Sequence, residues 1–287
     1  MKNSLEIRKT IETVSNIPTL PIVVEKLTKL LQDPKTSAED VGKAITSDQV
    51  LASKVLKLVN SAFYGFPGKI STVTHAVVIL GFSTVKNIVL TASIFNAFGK
   101  KITENSFDIE KFWLHSIACS AAAQCISRHV GHIDKEECFI AGLIHDVGKV
   151  VMCNFLPVEF QAVLKDREQR NCLLYQSEND ILHITHEDIG GIICERWNLP
   201  KTLQSAVKRH HFKGTEKDFS IVDGIVHAAD IFVRALDYGN GGDNKIPIMS
   251  ECVWRNLGLK EIELTTLLHD ISEEVEKASV FMQVLNS

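Results

Sequence analysis

Apolar residues recur at helical spacing through almost the whole chain, and the few apolar runs outside that rhythm, Val77 to Leu80 and Ile246 to Met249, are too short to build a sheet. From Val23 to Leu31 the apolar positions are Val23, Val24, Leu27, Leu30 and Leu31, one face of a helix. Pro18 and Pro21 stand ahead of it, and Asp33-Pro34 ends it. Ser37 before Glu39 and Asp40 predicts a second helix start. Ser47-Asp48 predicts a third, with Val50, Leu51, Val55, Leu56 and Val59 on its apolar face. Asn60, Ser61 and Tyr64 read as turn-shaping residues in a loop that runs to Gly68. Thr72 leads into a fourth helix stopped by Gly81, and Ser83 starts a fifth that reaches Phe98.

The stretch Gly99 to Ser106 is polar and aperiodic, which predicts a junction. Helical spacing resumes over 108–129, 135–153, 157–170, 175–182, 186–198, 201–211, 219–238 and 261–283. Asp237 to Pro247 is rich in Gly and Asn and predicts a mobile loop. The expected fold class is all-α, with two helical lobes at residues 1–104 and 105–287.

Charge and cysteine usage narrow the chemistry. The net charge is −4 and Lys and Arg are dispersed, so a nucleic-acid partner is not expected. The one short basic cluster, Lys208, Arg209, Lys213 and Lys217, is diluted by Glu216 and Asp218. Seven cysteines form no CxxC pair, and several lie in apolar stretches as small hydrophobes. A disulfide framework or zinc ribbon is therefore not expected, and a reducing cytoplasm is expected. The N-terminus is charged and amphipathic with no signal-peptide core, and no apolar run approaches the ~18 residues of a membrane span. No membrane association is expected.

Histidines concentrate in the second half of the chain. His145-Asp146 interrupts an apolar helix turn, and burying both groups is costly unless they are paired or bound to a metal. Adjacent helical residues diverge by about 100°, yet the pair can share one ion, or Asp146 can bridge two. His115 opens an Ala-rich helix, His186 follows the N-cap candidate Thr185 with Asp188 at the capping-box position, and His210-His211 closes the helix after Pro200. Asp230 is a carboxylate within an apolar helix. Imidazoles and carboxylates from separate helices suit one or two divalent ions of the Fe, Mn, Ni or Zn class. Lys149 shares a helical face with His145 and offers a cation for a phosphate or a departing anion.

The order His115, His145-Asp146, Asp230 resembles the H…HD…D signature of the HD metal-dependent phosphohydrolase superfamily, and His186 with His210-His211 resembles the extra histidines of its HD-GYP branch. The wider context is similar to the HDOD family over nearly the whole chain. Its landmarks are Ile17-Pro-Thr-Leu-Pro, Ser47-Asp-Gln-Val-Leu, Val59-Asn-Ser-Ala-Phe-Tyr-Gly, Ile70-Ser-Thr-Val-Thr-His-Ala, Leu80-Gly-Phe, Glu195-Arg-Trp-Asn-Leu-Pro and Ala229-Asp230. The resemblance implies an HD-like helical bundle in the C-terminal lobe. It also implies a metal set of His115, His145, Asp146, His186, His210, His211 and Asp230, with Asp146 and Lys149 as catalytic candidates. HD enzymes are divalent-metal phosphohydrolases, whereas HDOD proteins resemble signalling relatives with eroded ligand sets. Two departures argue against cyclic-di-GMP hydrolysis. No Gly-Tyr-Pro follows His211, and Lys111 stands where that branch would offer a carboxylate, which also argues against a third metal.

Three readings of function follow. One is a bacterial regulatory protein that binds a divalent metal or a nucleotide or other phosphate ligand and signals to a protein partner. Another is an active phosphomonoesterase or phosphodiesterase. A third is a scaffold whose HD pair is a metal-free remnant satisfied within the core. Asp223, His227, Asp230 and Arg234 form one helical stripe that reads equally as a solvated face, and Lys149 reads equally as a solvated lysine. His75, His129, His132, His183 and His269 read as surface or capping residues, and Trp113 and Trp197 as core anchors.

Overall fold

The computed structural model describes residues 4–13, 22–31, 33–61, 63–98, 107–132 and 134–286. The Ile17 to Pro21 segment and the junction predicted at 99–106 lie outside the described residues. Among those described, all regular structure is helical, as the periodicity predicts. The helices are α1 (Ser4–Thr13), α2 (Ile22–Leu30), α3 (Ala38–Thr46), α4 (Gln49–Val59), α5 (Val73–Leu80), α6 (Phe82–Phe98), α7 (Ile109–His129) and α8 (Lys135–Ile144). They continue as α9 (Val147–Phe155), α10 (Pro157–Arg170), α11 (Leu174–Leu182), α12 (His186–Arg196), α13 (Lys201–Arg209), α14 (Ile221–Ala235), α15 (Glu251–Asn256) and α16 (Glu261–Asn286). They form two compact units, Met1–Ile17 with Lys101–Val275, and Pro18–Lys100 with Glu276–Ser287.

The smaller unit follows its local signals. Ser37 caps α3 in a capping box with Asp40, Asp48 caps α4 through Leu51 N, and Thr72 caps α5 through His75 N. Gly81, at φ 83°, ends α5 in a conformation that side chains disfavour. The Asn60 side chain bonds both the N–H and the C=O of Ile70 at 2.8 Å, closing the predicted turn. α6 is buried nearly all round from Asn87 to Phe95, with Val85, Ile88, Val89, Leu90, Ile94, Phe95 and Phe98 among its core residues.

In the larger unit, α7 and α8 are the most extensively packed pair. Ala118, Ala121, Ala122 and Ala123 keep the α7 surface low. Gly142 completes the fit, since a Cβ there would lie 2.6 Å from the Cys119 carbonyl oxygen. The helix expected over 135–153 is in fact two helices, broken at His145-Asp146. The turn is tight because the Asp146 carbonyl accepts from Lys149 N at 2.9 Å. Gly148 then lets α9 meet α12 against the His186 carbonyl, where any Cβ would collide. Thr185 and Asp188 form the predicted capping box at the start of α12. The stretch Lys135–Phe155 is long and apolar enough to cross a membrane by composition, but it is mostly buried inside the protein.

The segment predicted as a mobile loop is instead tied down. Gly241, Gly242 and Asp243 are buried. Gly241 O accepts from Lys149 Nζ at 2.8 Å, Asp243 accepts from Arg234 and from Leu174 N at 2.9 Å each, and Asn240 N donates to Lys111 O at 2.9 Å. Here the glycines serve close approach rather than freedom. Gly239, at φ 70°, lies against the backbone of Lys111 and His115.

Candidate metal centre

All seven sequence-predicted ligands and Lys149 come together in the larger unit. His115 is on α7, His145 and Asp146 form the α8–α9 turn, Lys149 is on α9, His186 opens α12, His210-His211 follow α13, and Asp230 is on α14. Seven of the eight are at most 1% exposed and His211 is 7%, so the group is closed from bulk solvent. Lys149 is not a solvated lysine, nor is Asp223, His227, Asp230, Arg234 a solvated stripe, since the first three are buried and the Arg234 side chain is 6% exposed. By contrast His75, His129, His183 and His269 are exposed, and Trp113 and Trp197 are core residues, as expected.

The Asp146 carboxylate divides the centre. On the Oδ1 side stand His186 Nε2 at 3.2 Å and His210 Nε2 at 3.4 Å. On the Oδ2 side stand His145 Nε2 at 3.2 Å and His115 Nε2 at 3.8 Å, with His115 Nε2 3.1 Å from Asp230 Oδ1. Tetrahedral N and O ligands at roughly 2.0–2.1 Å from one ion lie about 3.4 Å apart. The observed spacings centre on that value. Donor atoms of His186, His210 and His211 all fall within 4.8 Å of one another, as do those of His145, Asp146 and His210.

Three of the histidines are anchored through Nδ1. His145 Nδ1 donates to Gly142 O at 2.7 Å and His210 Nδ1 donates to Val207 O at 2.9 Å, which leaves each Nε2 lone pair facing the centre. His186 Nδ1 lies 2.7 Å from Glu178 Oε2, the carboxylate–imidazole pairing that fixes a ligand's tautomer. His145 Nε2 and Asp146 Oδ1 are buried with no hydrogen-bond partner. Orphaned buried acceptors of this kind, one on each side of the centre, are what a divalent cation satisfies.

Charge is balanced by two buried cations. Lys149 Nζ is 2.6 Å from Asp146 Oδ2, and Arg234 Nε is 2.7 Å from Asp230 Oδ1. Burial pushes the Asp146 carboxyl up, but His145 and Lys149 outweigh it and hold the group well below the usual range. Asp230 is likewise held low against burial, by Arg234 and His115. Burial lowers His115, His210 and His211, which favours the neutral, metal-binding imidazole. His186 behaves oppositely. Burial works against its proton, yet Glu178 on one side and Asp146 on the other raise it to about 9.

Sequence reasoning missed four contributors. Glu178, Asp243 and Gly241 sit on a polar helix and a Gly-rich loop, and nothing in their spacing points inward. Cys119 stands four residues after His115, so the helical repeat puts it on the same face. Lys111 is exposed on α7 one turn before His115, so that position offers no carboxylate to the centre.

Comparison with known proteins agrees with this architecture. A crystal structure of an HDOD domain protein from Geobacter sulfurreducens superposes with TM-score 0.79 at 23% identity, covering 98% of this chain and 99% of that one. A candidate phosphohydrolase from Shewanella amazonensis superposes with TM-score 0.75 at 20% identity, covering 96% and 97% of the two chains. A candidate signal transduction protein from Marinobacter aquaeolei gives 0.77 at 20%, covering all of this chain and 62% of that one. An uncharacterized protein from Treponema pallidum is 22% identical over 230 residues, 79% of this chain, and the chain spans 44% of that relative's length. A family model described as the HDOD domain matches residues 17–212, about two thirds of the sequence. The chain belongs to the HDOD family.

Proposed function

We propose that this chain is a regulatory HDOD protein that holds a divalent ion around Asp146 and passes the state of that site to a protein partner. The observation that carries the metal is the Asp146 carboxylate, faced on both oxygens by imidazole Nε2 atoms in a fully buried setting. His186, His210 and His211 would hold an ion with Oδ1, and His115, His145 and Asp230 with Oδ2. Closure of the centre favours regulation over turnover. Gly241 covers the Oδ2 side, where a Cβ would stand 3.2 Å from His115 Nε2 and 3.3 Å from Asp146 Oδ2. Lys149 is meanwhile engaged by Asp146 and Gly241. A phosphate ligand, free or in a nucleotide, would need that loop to lift and Lys149 to turn toward it.

The near-complete ligand set supports a second reading, a phosphomonoesterase or phosphodiesterase. A bound divalent ion supplies Lewis-acid activation of water and charge stabilisation of phosphoryl oxygens. The chain's own part would be to exclude solvent, to orient the imidazoles through Glu178, Gly142 and Val207, and to offer the Lys149 ammonium to the departing oxygen.

Elemental mass spectrometry of protein purified without a metal-affinity tag or chelators tests the shared premise. Near-stoichiometric Fe, Mn, Ni or Zn, lost in Asp146→Asn, is expected. Metal-free protein that stays metal-free after reloading overturns both readings. Metal-loaded protein that is silent on a broad phosphate-ester panel leaves the regulatory one. A native mass spectrum and pull-down with neither ligand nor partner would count against that.

A further inference from the structure

The Oδ2 side of the centre contains a donor that the histidine and aspartate pattern does not include. Cys119, fully buried on α7, places Sγ 3.5 Å from His115 Nε2. Donor atoms of His115, Cys119, His145 and Asp230 all lie within 4.8 Å of one another. A thiolate at about 2.3 Å and an imidazole at about 2.0–2.1 Å from one tetrahedral ion stand about 3.6 Å apart. The observed sulfur–nitrogen spacing matches that edge. A second observation points the same way. His145 Nε2, in the same group, is a buried acceptor with no hydrogen-bond partner, and its Nδ1 is anchored on Gly142 O. The other cysteines lie outside the three donor groups found among the described residues.

We propose that His115, Cys119, His145 and Asp230 form a thiolate-containing site for a borderline-soft divalent ion of the zinc class, distinct in chemistry from the sulfur-free side formed by His186, His210, His211 and Asp146 Oδ1. The inference rests on the metal reading given above and adds a ligand and a selectivity to it. With Cys119 in the fourth position in place of Asp146 Oδ2, which Lys149 Nζ holds at 2.6 Å, two imidazoles, the Asp230 carboxylate and a thiolate complete a tetrahedron, and a tetrahedral site with sulfur favours zinc over magnesium, calcium or manganese. Asp230 Oδ1 carries two lone pairs, so it can face the ion while still accepting from Arg234 Nε. Without metal, burial beside the Asp230 and Asp146 carboxylates keeps the thiol neutral. An arriving dication displaces its proton, so loading releases acid and leaves Arg234 and Lys149 facing a site whose anions are matched.

The full chain is stripped and reloaded with cobalt(II), cobalt content is measured by elemental mass spectrometry, and the near-ultraviolet spectrum is recorded. Cys119→Ala and a control, Cys138→Ala, are treated alike, with far-ultraviolet circular dichroism to check folding. A thiolate-to-cobalt charge-transfer band is expected in the parent and in Cys138→Ala and absent in Cys119→Ala, with zinc affinity of the latter weakened at least tenfold in chelator competition. Cobalt bound without a charge-transfer band overturns the cysteine ligand and leaves the metal reading standing. No cobalt or zinc bound by any form overturns both. If Cys119→Ala does not fold, X-ray absorption on the zinc-loaded parent decides. A sulfur scatterer supports the site, and a shell of nitrogen and oxygen alone rejects it.

Discussion

Glu178 Oε2 accepts two hydrogen bonds from one residue, His186 Nδ1 at 2.7 Å and His186 N at 2.9 Å, and so fixes both the ring and the first peptide of α12. The metal-free centre therefore keeps an imidazolium clamped between Glu178 and Asp146. Its folded pKa of about 9 lies above the ordinary 6.5, so the clamp contributes fully below about pH 6.5. The contribution fades as pH rises toward 9. Its ceiling is about 3 kcal/mol. Urea denaturation of chelated protein should show stability falling across that window, and Glu178→Gln should flatten the fall. The same variant should weaken metal binding roughly 10–100-fold. An unchanged pH slope would show that Glu178 does not hold the proton.

Lys149 acts as an internal counter-ion. It is fully buried with Nζ on Asp146 Oδ2, so Lys149→Met leaves a buried carboxylate without its cation. In chelator the expected cost is about 3–5 kcal/mol. With zinc in excess the cost should shrink, because a dication beside Asp146 replaces the lost charge and binding adds to native-state stability. Paired denaturation curves with and without metal read this directly. Equal losses in both conditions would mean that the ion does not sit against Asp146.

The glycines on either side of the His145-Asp146 turn carry the geometry of the centre. A methyl at Gly142 meets the Cys119 carbonyl, and one at Gly148 meets the His186 carbonyl. Neither obstacle is a flexible side chain. Gly142→Ala and Gly148→Ala should each cost about 1–3 kcal/mol and reduce bound metal, since α7 and α12 bring His115 and His186. Gly68→Ala is the matched control. Nothing lies within 4 Å of its added carbon, so its stability should hold or rise by a few tenths of a kcal/mol.

The helices were legible because their signals are local. Ser37, Asp48, Thr72 and Thr185 start helices in the structure as the sequence pattern predicts. The break at 145–146 was not legible, because apolar residues continue on both sides and the turn is stabilised by Lys149 N and by packing across α12. α15 was also missed, being six residues with a single buried side chain, Val253. The clustered histidines stood out because imidazole is unusual in apolar helices. Their supporting groups did not, since Glu178 on α11 looks like any solvated carboxylate until α12 folds against it. The loop 237–247 misled most. Its Gly and Asn content is the same whether glycine is used for freedom or for contact.

That loop leads to the last prediction. Asp243 is 6% exposed and accepts from Arg234 Nη1, Lys245 N and Leu174 N. It joins α14 to the start of α11 and holds Gly241 over the Oδ2 side of the centre. Asp243→Asn keeps the size but removes the charge facing Arg234 and turns an acceptor toward donor character beside the Leu174 N–H. The expected cost is about 1–3 kcal/mol. The more telling effect is kinetic. Hydrogen exchange should rise across 237–250 while α7 and α14 stay protected, and zinc loaded beforehand should leave faster to a chelator. Arg234 still pairs with Asp230 through Nε, so the ligand side chains keep their supports and equilibrium affinity should change less than the release rate. Faster exchange in the loop with an unchanged release rate would separate the two. It would mean that the ion reaches solvent by another route, and that the closure by Gly241 does not gate the centre.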